Sequence, residues 1–446
     1  MKVRLSEHFT VKKLLFAVFP TVLMMLFTSI YGIVDGIFIS NFVGTTAFAG
    51  VNLIWPFLMI TGSVGFMLGA GGSALVANTL GERDGERANQ IFTMIVGFTV
   101  IIGVIFTVGT YFLIEPIAVF LGGENASQQL IDDAVRYGKI LTLFQGVFML
   151  QNVFQSLFVV AEKAMLGFVV IAIAGVTNMV LDALFIAVFG WGVTGAAFAT
   201  GISEAVGGII PIVYFLSKNS STIQFTKTKL EFKVLIKASV NGSSELLSNI
   251  AMSVVSMLFN MQLLKMAGEN GVAAYGIIMY AGFIFCAMFI GYCVGVAPIV
   301  GYHNGAKNHA ELKNLLKKSL LIILTASGIM VLAVETLAGP LASIFTDNNA
   351  QLQKLATDGF RLYGISFGLC GFSIFSSGFF TALNNGLVSA IISFTRTLVF
   401  QVAFILVLPI FLGLNGIWLS VVCSEVCSLG VCLICFMKNR NKYHYI

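Results

Sequence analysis

Charged residues are scarce in this chain of 446 residues: they make up 10% of it, against about 25% in soluble globular proteins. Hydrophobic residues make up 58%, and the mean hydropathy is +0.95. This composition excludes a soluble globular protein and predicts a polytopic membrane protein. The net charge of +5 does not indicate nucleic-acid binding, because the basic residues lie in short loops and not on one face.

Residues that carry catalysis are also scarce. The four histidines, His8, His303, His309 and His444, fall in loops, tails or the ends of apolar runs. The seven cysteines lie in apolar segments of the second half without the flanking Cys or His residues that a zinc site needs. No Walker motif occurs. We therefore expect neither an enzyme nor an ATP-driven pump, and no cofactor.

Apolar stretches long enough to cross a bilayer, which takes roughly 20 residues, recur about twelve times. The predicted spans are 12–41, 50–79, 91–114, 134–160, 164–189, 193–217, 234–264, 271–302, 315–338, 357–383, 387–412 and 415–437. The longest polar connection separates six spans from six. We therefore expect an amino-terminal lobe at 1–217, an interlobe linker at 218–233 and a carboxyl-terminal lobe at 234–446.

The two halves of the sequence repeat one another. The loop GERDGERANQ after span two corresponds to NGAKNHAELKN after span eight, which aligns Gly81 with Gly305, and later matches align Glu204 with Glu425. Each half holds an even number of spans, so a pseudo-two-fold axis along the membrane normal should relate the copies. The expected fold class is an all-α membrane protein with twelve transmembrane helices, arranged as two six-helix lobes around a central cavity.

Basic residues are unevenly divided between alternate loops. One set of loops, together with both chain ends, carries most of the Lys and Arg residues, and the opposite set carries few. By the positive-inside rule, we expect both termini to be cytoplasmic.

Carboxylates inside apolar spans cost roughly 2.5 to 3.5 kcal/mol each at the helix centre, so they need a reason. Asp35 lies in span one, and Asp182 lies in span five one turn from Asn178. Thr200 of span six has a similar depth, roughly 9 to 12 Å below the outer surface. These oxygen ligands suit a sodium ion or a proton held between the acids, which predicts a cation site in the first half. The alternative is that each acid ties helices together.

Other embedded polar groups complete this interpretation. Pro20 lies near the middle of span one, where a proline frees a backbone carbonyl and allows a hinge. We assign Glu245 of span seven, with Asn152 and Gln155 of span four, to the wall of a substrate cavity. Embedded acids outnumber the one embedded base, Arg396, which favours a cationic cargo. We expect Glu204 and Glu425 to bond neighbouring helices, and Arg396 to partner an acid or a carbonyl.

The segments YGIVDGIFISNFVG in span one, NMVLD in span five and GVTGAAFAT at the start of span six carry a family likeness. Over its whole length the chain resembles the multidrug and toxic compound extrusion (MATE) family, in its bacterial MepA-like branch. The resemblance implies a multidrug efflux antiporter of the bacterial inner membrane, which exports cationic amphiphilic drugs in exchange for protons or sodium ions by alternating access.

The resemblance also implies site residues. It places the cation site on Asp35, Asn178, Asp182 and Thr200, with Tyr137 of span four nearby, and it implies bending of the first helix at its proline. One departure is that the middle of span ten has no acid. We therefore expect no second coupling site there.

Two alternatives remain. A lipid-linked oligosaccharide flippase of the same broad superfamily would carry an anionic cargo, which requires several basic residues in the cavity, and only Arg396 is embedded. An intramembrane enzyme or receptor is opposed by the positions of the histidines. The sequence leaves open which ion is coupled and which drugs are carried. We expect a monomer, since two lobes form a cavity without a partner.

Overall fold

The computed structural model describes residues 4–123, 126–344 and 350–445. These residues form twelve membrane-length apolar segments when one bent pair is counted as a single span, which confirms the predicted all-helical fold. The segments are α1 (Val11–Val43), α2 (Thr46–Gly81), α3 (Gly85–Gly122), α4 (Gln128–Val160), α5 (Ala164–Val188), α6 (Gly192–Leu216), α7 (Phe232–Gly268), α8 (Asn270–Gly305), α9 (His309–Ser343), α10 (Ala350–Gly364 with Phe367–Ala382), α11 (Gly386–Leu412) and α12 (Leu414–Tyr443).

Helix ends follow local backbone chemistry. The side chain of Asp84 caps α3 by accepting a hydrogen bond from the amide of Arg87. Gly268 separates α7 from α8 with a φ of 64°, a left-handed conformation that glycine adopts without strain. One feature absent from the predicted spans is a bend of 47° in α10, between Gly364 and Phe367.

Both ends of the described chain lie at one face of the bundle, which we call the terminal face. The carbonyl of Tyr443 lies 3.1 Å from Nδ1 of His309, and Nδ1 of His8 lies 2.6 Å from Oε2 of Glu311. His309 and Glu311 both belong to the first turn of α9, so the two chain ends approach the same turn. The opposite face is called the distal face.

Two aligned glycines bring α2 and α8 together at the terminal face. A Cβ atom on Gly81 would lie 2.0 Å from the carbonyl oxygen of Tyr302, and one on Gly305 would lie 1.9 Å from that of Asn78. Only glycine permits backbones to approach this closely. Because the aligned residues make reciprocal contacts, the pseudo-two-fold axis passes between them.

The first helix of each lobe packs against the other lobe. A Cβ atom on Gly295 of α8 would lie 2.4 Å from Oγ1 of Thr21 in α1, and one on Gly71 of α2 would lie 1.9 Å from the carbonyl oxygen of Ala238 in α7. The alignment that pairs Gly81 with Gly305 also pairs Gly71 with Gly295. The exchange of first helices is therefore part of the internal symmetry.

The buried hydrophobic clusters show the same exchange. One cluster fills the second lobe and also contains residues from the start of α1 and the segment before it: Leu5, Phe9, Leu14 and Val18. Another cluster fills the half of the first lobe nearer the terminal face and also contains Leu235 and Ala238 from the start of α7. The two distal clusters hold residues of one lobe only. In the described chain, the lobes therefore share a buried core near the terminal face and not near the distal face.

The close approach of α2 and α8 predicts that Gly305→Ala lowers thermal stability. The new methyl group would meet the carbonyl of Asn78, and overpacking of this kind costs about 1–3 kcal/mol. The measurement is the fraction of detergent-solubilised protein that stays monodisperse after heating. Gly328→Ala in α9 is the matched control, since a Cβ atom there has no neighbour within 4 Å. An equal loss in both variants would contradict the packing argument.

Candidate cation site

The two acids predicted to bind a cation occupy equivalent local settings in α1 and α5. Asp35 lies in the last turn of the regular α-helical part of α1, which continues as a π-helix over Ile39–Val43. Asp182 is the last residue of the regular part of α5 and is followed by a π-helix over Ala183–Val188. π-Helical turns are rare and often mark functional sites, because they change the direction of the side chains around them.

The structure brings together the four residues predicted to form the site. The carboxyl groups of Asp35 and Asp182 lie within hydrogen-bonding reach of each other, and Thr200 of α6 lies within reach of Asp35. Nδ2 of Asn178 donates to Oγ1 of Thr200 over 3.5 Å. Asp182 is 0% exposed, Asn178 1% and Thr200 8%. The site therefore joins α1, α5 and α6 in the distal half of the first lobe.

Several oxygen atoms of this site lack a donor. Oδ1 of Asp35, both carboxylate oxygens of Asp182 and Oδ1 of Asn178 are buried and accept no hydrogen bond from the described part of the chain. Two ionised carboxylates repel each other at this distance, so a proton or a metal cation between them removes the penalty. Hard oxygen ligands of this kind suit a proton or a sodium ion. A zinc-type group of three His, Cys, Asp or Glu side chains is not found among the described residues.

Tyr137 lies where the resemblance placed it, and two neighbouring residues were missed. Tyr137 is fully buried in α4, close to Asp35. Tyr31 lies one turn before Asp35, with its hydroxyl close to Gln151 in α4. Gly175 of α5 permits this position, since a Cβ atom there would meet the Tyr31 ring at 2.6 Å. The spacing of four residues between Tyr31 and Asp35 was the signal available in the sequence.

The aligned acids Glu204 and Glu425 differ in their surroundings. Oε1 of Glu425 in α12 accepts a hydrogen bond of 2.7 Å from Nε of Arg396 in α11, which confirms the expected helix-tying role of this pair. Glu204 in α6 is 9% exposed, has no ion pair with a described base and lies close to Asp35. It lines a small cavity with residues of α2 and α4. Glu204 therefore belongs to the surroundings of the cation site.

The residues assigned to a substrate cavity lie on helices of both lobes, α4 and α7. Glu245 is half-buried on α7 and close to Cys293 of α8. Asn152 and Gln155 are buried on α4, with exposed fractions of 4% and 5%, and the Asn152 amide donates to the carbonyl of Phe148 in its own helix. The role of all three in cargo binding stays a prediction.

Pro20 is buried within the continuous helix of α1, beside the contact between Thr21 and α8. It also lines a crevice of about 350 Å³ between α1, the α4–α5 turn and α8. A proline leaves one carbonyl of its helix unbonded, and the crevice leaves space next to it. The hinge at Pro20 stays a prediction that this setting permits.

The MatE family profile matches residues 20–184 and 246–407. The chain therefore belongs to the MatE family of membrane transporters. The multidrug export protein MepA of Staphylococcus saprophyticus is 26% identical to it over 427 residues, which cover 94% of this chain and 92% of that protein. Asp35, Asn178 and Asp182 fall within the first matched segment, and Thr200 lies outside it.

Solved structures show the same fold. The crystal structure of a MATE protein in complex with MaL6 matches with a TM-score of 0.91 at 23% identity, covering 99% of this chain and 97% of that one. An outward-facing multidrug resistance MATE family transporter of the MOP superfamily matches with a TM-score of 0.90 at 23% identity and the same coverage. The family and the two-lobed, twelve-helix architecture expected from the sequence are confirmed.

The unpaired carboxylates predict that protons or sodium ions stabilise the folded protein through Asp182. An ion that binds only the folded state at 100 times its Kd adds about 2.7 kcal/mol. We expect acid or added sodium to raise the unfolding temperature of the wild type. Asp182→Asn should remove this response, because the amide supplies a donor to Asp35.

The matched control is Glu115→Gln, whose carboxylate is exposed and paired with Lys139 at 2.8 Å. It should keep the wild-type response to both ions. A full response in Asp182→Asn would show that the ions bind elsewhere.

Proposed function

We propose that the protein is a multidrug efflux antiporter, which exports cationic amphiphilic drugs in exchange for protons or sodium ions by alternating access. The observation that carries this proposal is the buried approach of Asp35 to Asp182 without a donor between them. Membership of the MatE family and the similarity to a multidrug export protein support it. In this proposal the coupling ion drives transport and no cofactor is needed. One chain forms the cavity from its own two lobes and acts as a monomer.

The orientation follows from charge. Lys12, Lys163, Lys218 and Lys438 lie at helix ends or loops of the terminal face. By the positive-inside rule we assign this face to the cytoplasm of a bacterium and the distal face to the outside. Among the described residues, the lobes share a buried core on the side assigned to the cytoplasm and not on the opposite side, so this arrangement corresponds to an outward-facing state.

The cycle depends on charge in a low-dielectric site. A proton or sodium ion bound between Asp35 and Asp182 removes their repulsion and allows α1 to approach α5. Loss of the ion restores the repulsion and drives α1 away. Because α1 also packs against Gly295 of the second lobe through Thr21, its movement changes the contact between the lobes. Pro20 lies next to this contact and serves as the hinge.

The charge balance of the cavity favours a cationic cargo over an anionic one. Asp35, Asp182 and Glu204 form no ion pair with a described base. Arg396, the embedded base that an anionic lipid-linked oligosaccharide would use, is held by Glu425 at 2.7 Å. The three acids are therefore free to attract a cation, whereas the charge of Arg396 is already balanced by Glu425.

We expect Asp35→Asn to abolish gradient-driven efflux of ethidium while the protein still inserts and folds. The amide has no proton to exchange and no negative charge to balance a sodium ion, so cargo movement loses its driving force. The measurement compares inside-out vesicles under a proton gradient and, separately, a sodium gradient. The gradient that drives the wild type identifies the ion, and Glu115→Gln is the control.

Efflux by Asp35→Asn at the wild-type rate would reduce Asp35 to a structural role. If the wild type moves no ethidium under either gradient but transfers fluorescent lipid-linked precursor across liposomes, the proposed function is wrong and the flippase is correct.

A further inference from the structure

The residue before α7 is held by the other lobe at the terminal face. Glu231 directly precedes α7, and its two carboxylate oxygens accept hydrogen bonds of 2.6 and 2.7 Å from Nη1 and Nη2 of Arg87 in the first turn of α3. This bidentate geometry fixes direction as well as distance. The guanidinium holds the pKa of the Glu231 carboxyl below its usual range, so the contact stays charged down to that lowered pKa.

The residues before α1 are held in the same way by the second lobe. Oε1 of Glu311 in α9 accepts a hydrogen bond of 3.0 Å from the amide of Phe9, and Oε2 lies 2.6 Å from Nδ1 of His8. The carbonyl of Phe9 accepts from Nδ2 of Asn314 at 3.0 Å and from Nζ of Lys318 at 2.6 Å. The start of α1 is therefore bound on both its donor and its acceptor side.

These two contacts occupy equivalent positions in the two lobes, but the helix side chain is a base in one and an acid in the other. The alignment that pairs the closing glycines of α2 and α8 also pairs Arg87 with Glu311 and Gln90 with Asn314. Within each helix the second residue supports the first: Nη1 of Arg87 donates to Gln90 over 3.0 Å, and Nδ2 of Asn314 donates to Glu311 over 2.8 Å. Because α3 presents a base and α9 an acid, Glu231 before α7 is attracted to α3 and would be repelled by Glu311 of α9.

The two contacts differ in strength. The Arg87 and Glu231 side chains are 32% and 45% exposed, so water and salt screen their attraction. The Glu311 side chain is 7% exposed, and a buried carboxylate is costly once its donors leave. The contact at the start of α1 is therefore the harder one to open.

We propose that these contacts are the two latches of the cytoplasmic gate: the Arg87 latch (Arg87 with Glu231) and the Glu311 latch (Glu311 with His8 and Phe9). They hold the terminal face closed, and both must open before cargo enters from the cytoplasm. This inference rests on the proposed function and names the residues that set the balance between its two states.

The Glu311 latch also determines how α1 moves. Pro20 lies between the latch at Phe9 and the cation site at Asp35. While the latch is closed, the cytoplasmic end of α1 is fixed, so movement of Asp35 bends the helix at Pro20. Once the latch opens, α1 moves as one piece with the first lobe. Ion exchange and gate opening are thus separate steps on one helix.

The test is a charge swap read out as a distance. Spin labels at Lys218→Cys and Lys438→Cys, two exposed positions of the terminal face in different lobes, report the width of this face by double electron–electron resonance. Native cysteines are replaced by alanine, and no drug or gradient is present. We expect Arg87→Glu to add a longer distance, since it places two acids opposite each other. Adding Glu231→Arg should restore the wild-type distribution.

Removal of the second latch supplies an independent arm. Glu311→Ala should increase the longer distance more than Arg87→Glu does, because its contact is buried. Arg83→Glu and Lys317→Glu are the matched controls: both change an exposed basic residue near a latch, and neither should alter the distances. Unchanged distances in Arg87→Glu and Glu311→Ala, or no restoration by the swap, would overturn the latches. Restored distances in a protein that moves no organic cation would retain the latches and reject the drug-export proposal.

Discussion

The approach of a half-buried carboxylate, Asp35, to a fully buried one, Asp182, is the constraint on which the rest of the structure depends. Asp35 and Asp182 lie within reach of each other, and the neighbouring Asn178 and Thr200 supply only neutral groups. A medium of low dielectric does not tolerate two such charges without a positive charge between them. In the proposed function an ion completes this contact between α1 and α5. A π-helix begins four residues after Asp35 and another directly after Asp182.

This contact matters beyond the first lobe because α1 is held by both lobes. Its half nearer the terminal face is buried in the second-lobe cluster through Leu14 and Val18, whereas Asp35 meets α5 and α6. The symmetry-related helix α7 makes the same exchange at Ala238 but carries Val255 at the position aligned with Asp35. Only one of the two exchanged helices therefore carries an acid at this position. In the proposed mechanism, the contacts that repeat in both lobes form the gate, and the acids found in the first lobe alone couple it to the ion.

Span positions and the four site residues could be predicted from the sequence, because bilayer thickness restricts span length and helical rise fixes depth. Rotation about each helix axis is not fixed in this way, so the contact between Tyr31 and Gln151 was missed. The repeat alignment predicted that Glu204 and Glu425 both bond neighbouring helices. In the described chain Glu425 pairs with Arg396, whereas Glu204 pairs with no base. The bend in α10 contains no proline, and the exchange of α1 and α7 depends on backbone approaches at Gly71 and Gly295 that glycine spacing alone does not direct.

Infrared difference spectroscopy tests the central claim most directly, because it detects protonation of a buried carboxyl group without relying on transport. Purified wild-type protein, moved from alkaline to acidic buffer, should gain a protonated-carboxyl band that Asp35→Asn and Asp182→Asn each remove, whereas Glu115→Gln keeps it. If sodium uses the same site, it should suppress the band in the wild type. A band that persists unchanged in both site variants would contradict a cation shared by Asp35 and Asp182.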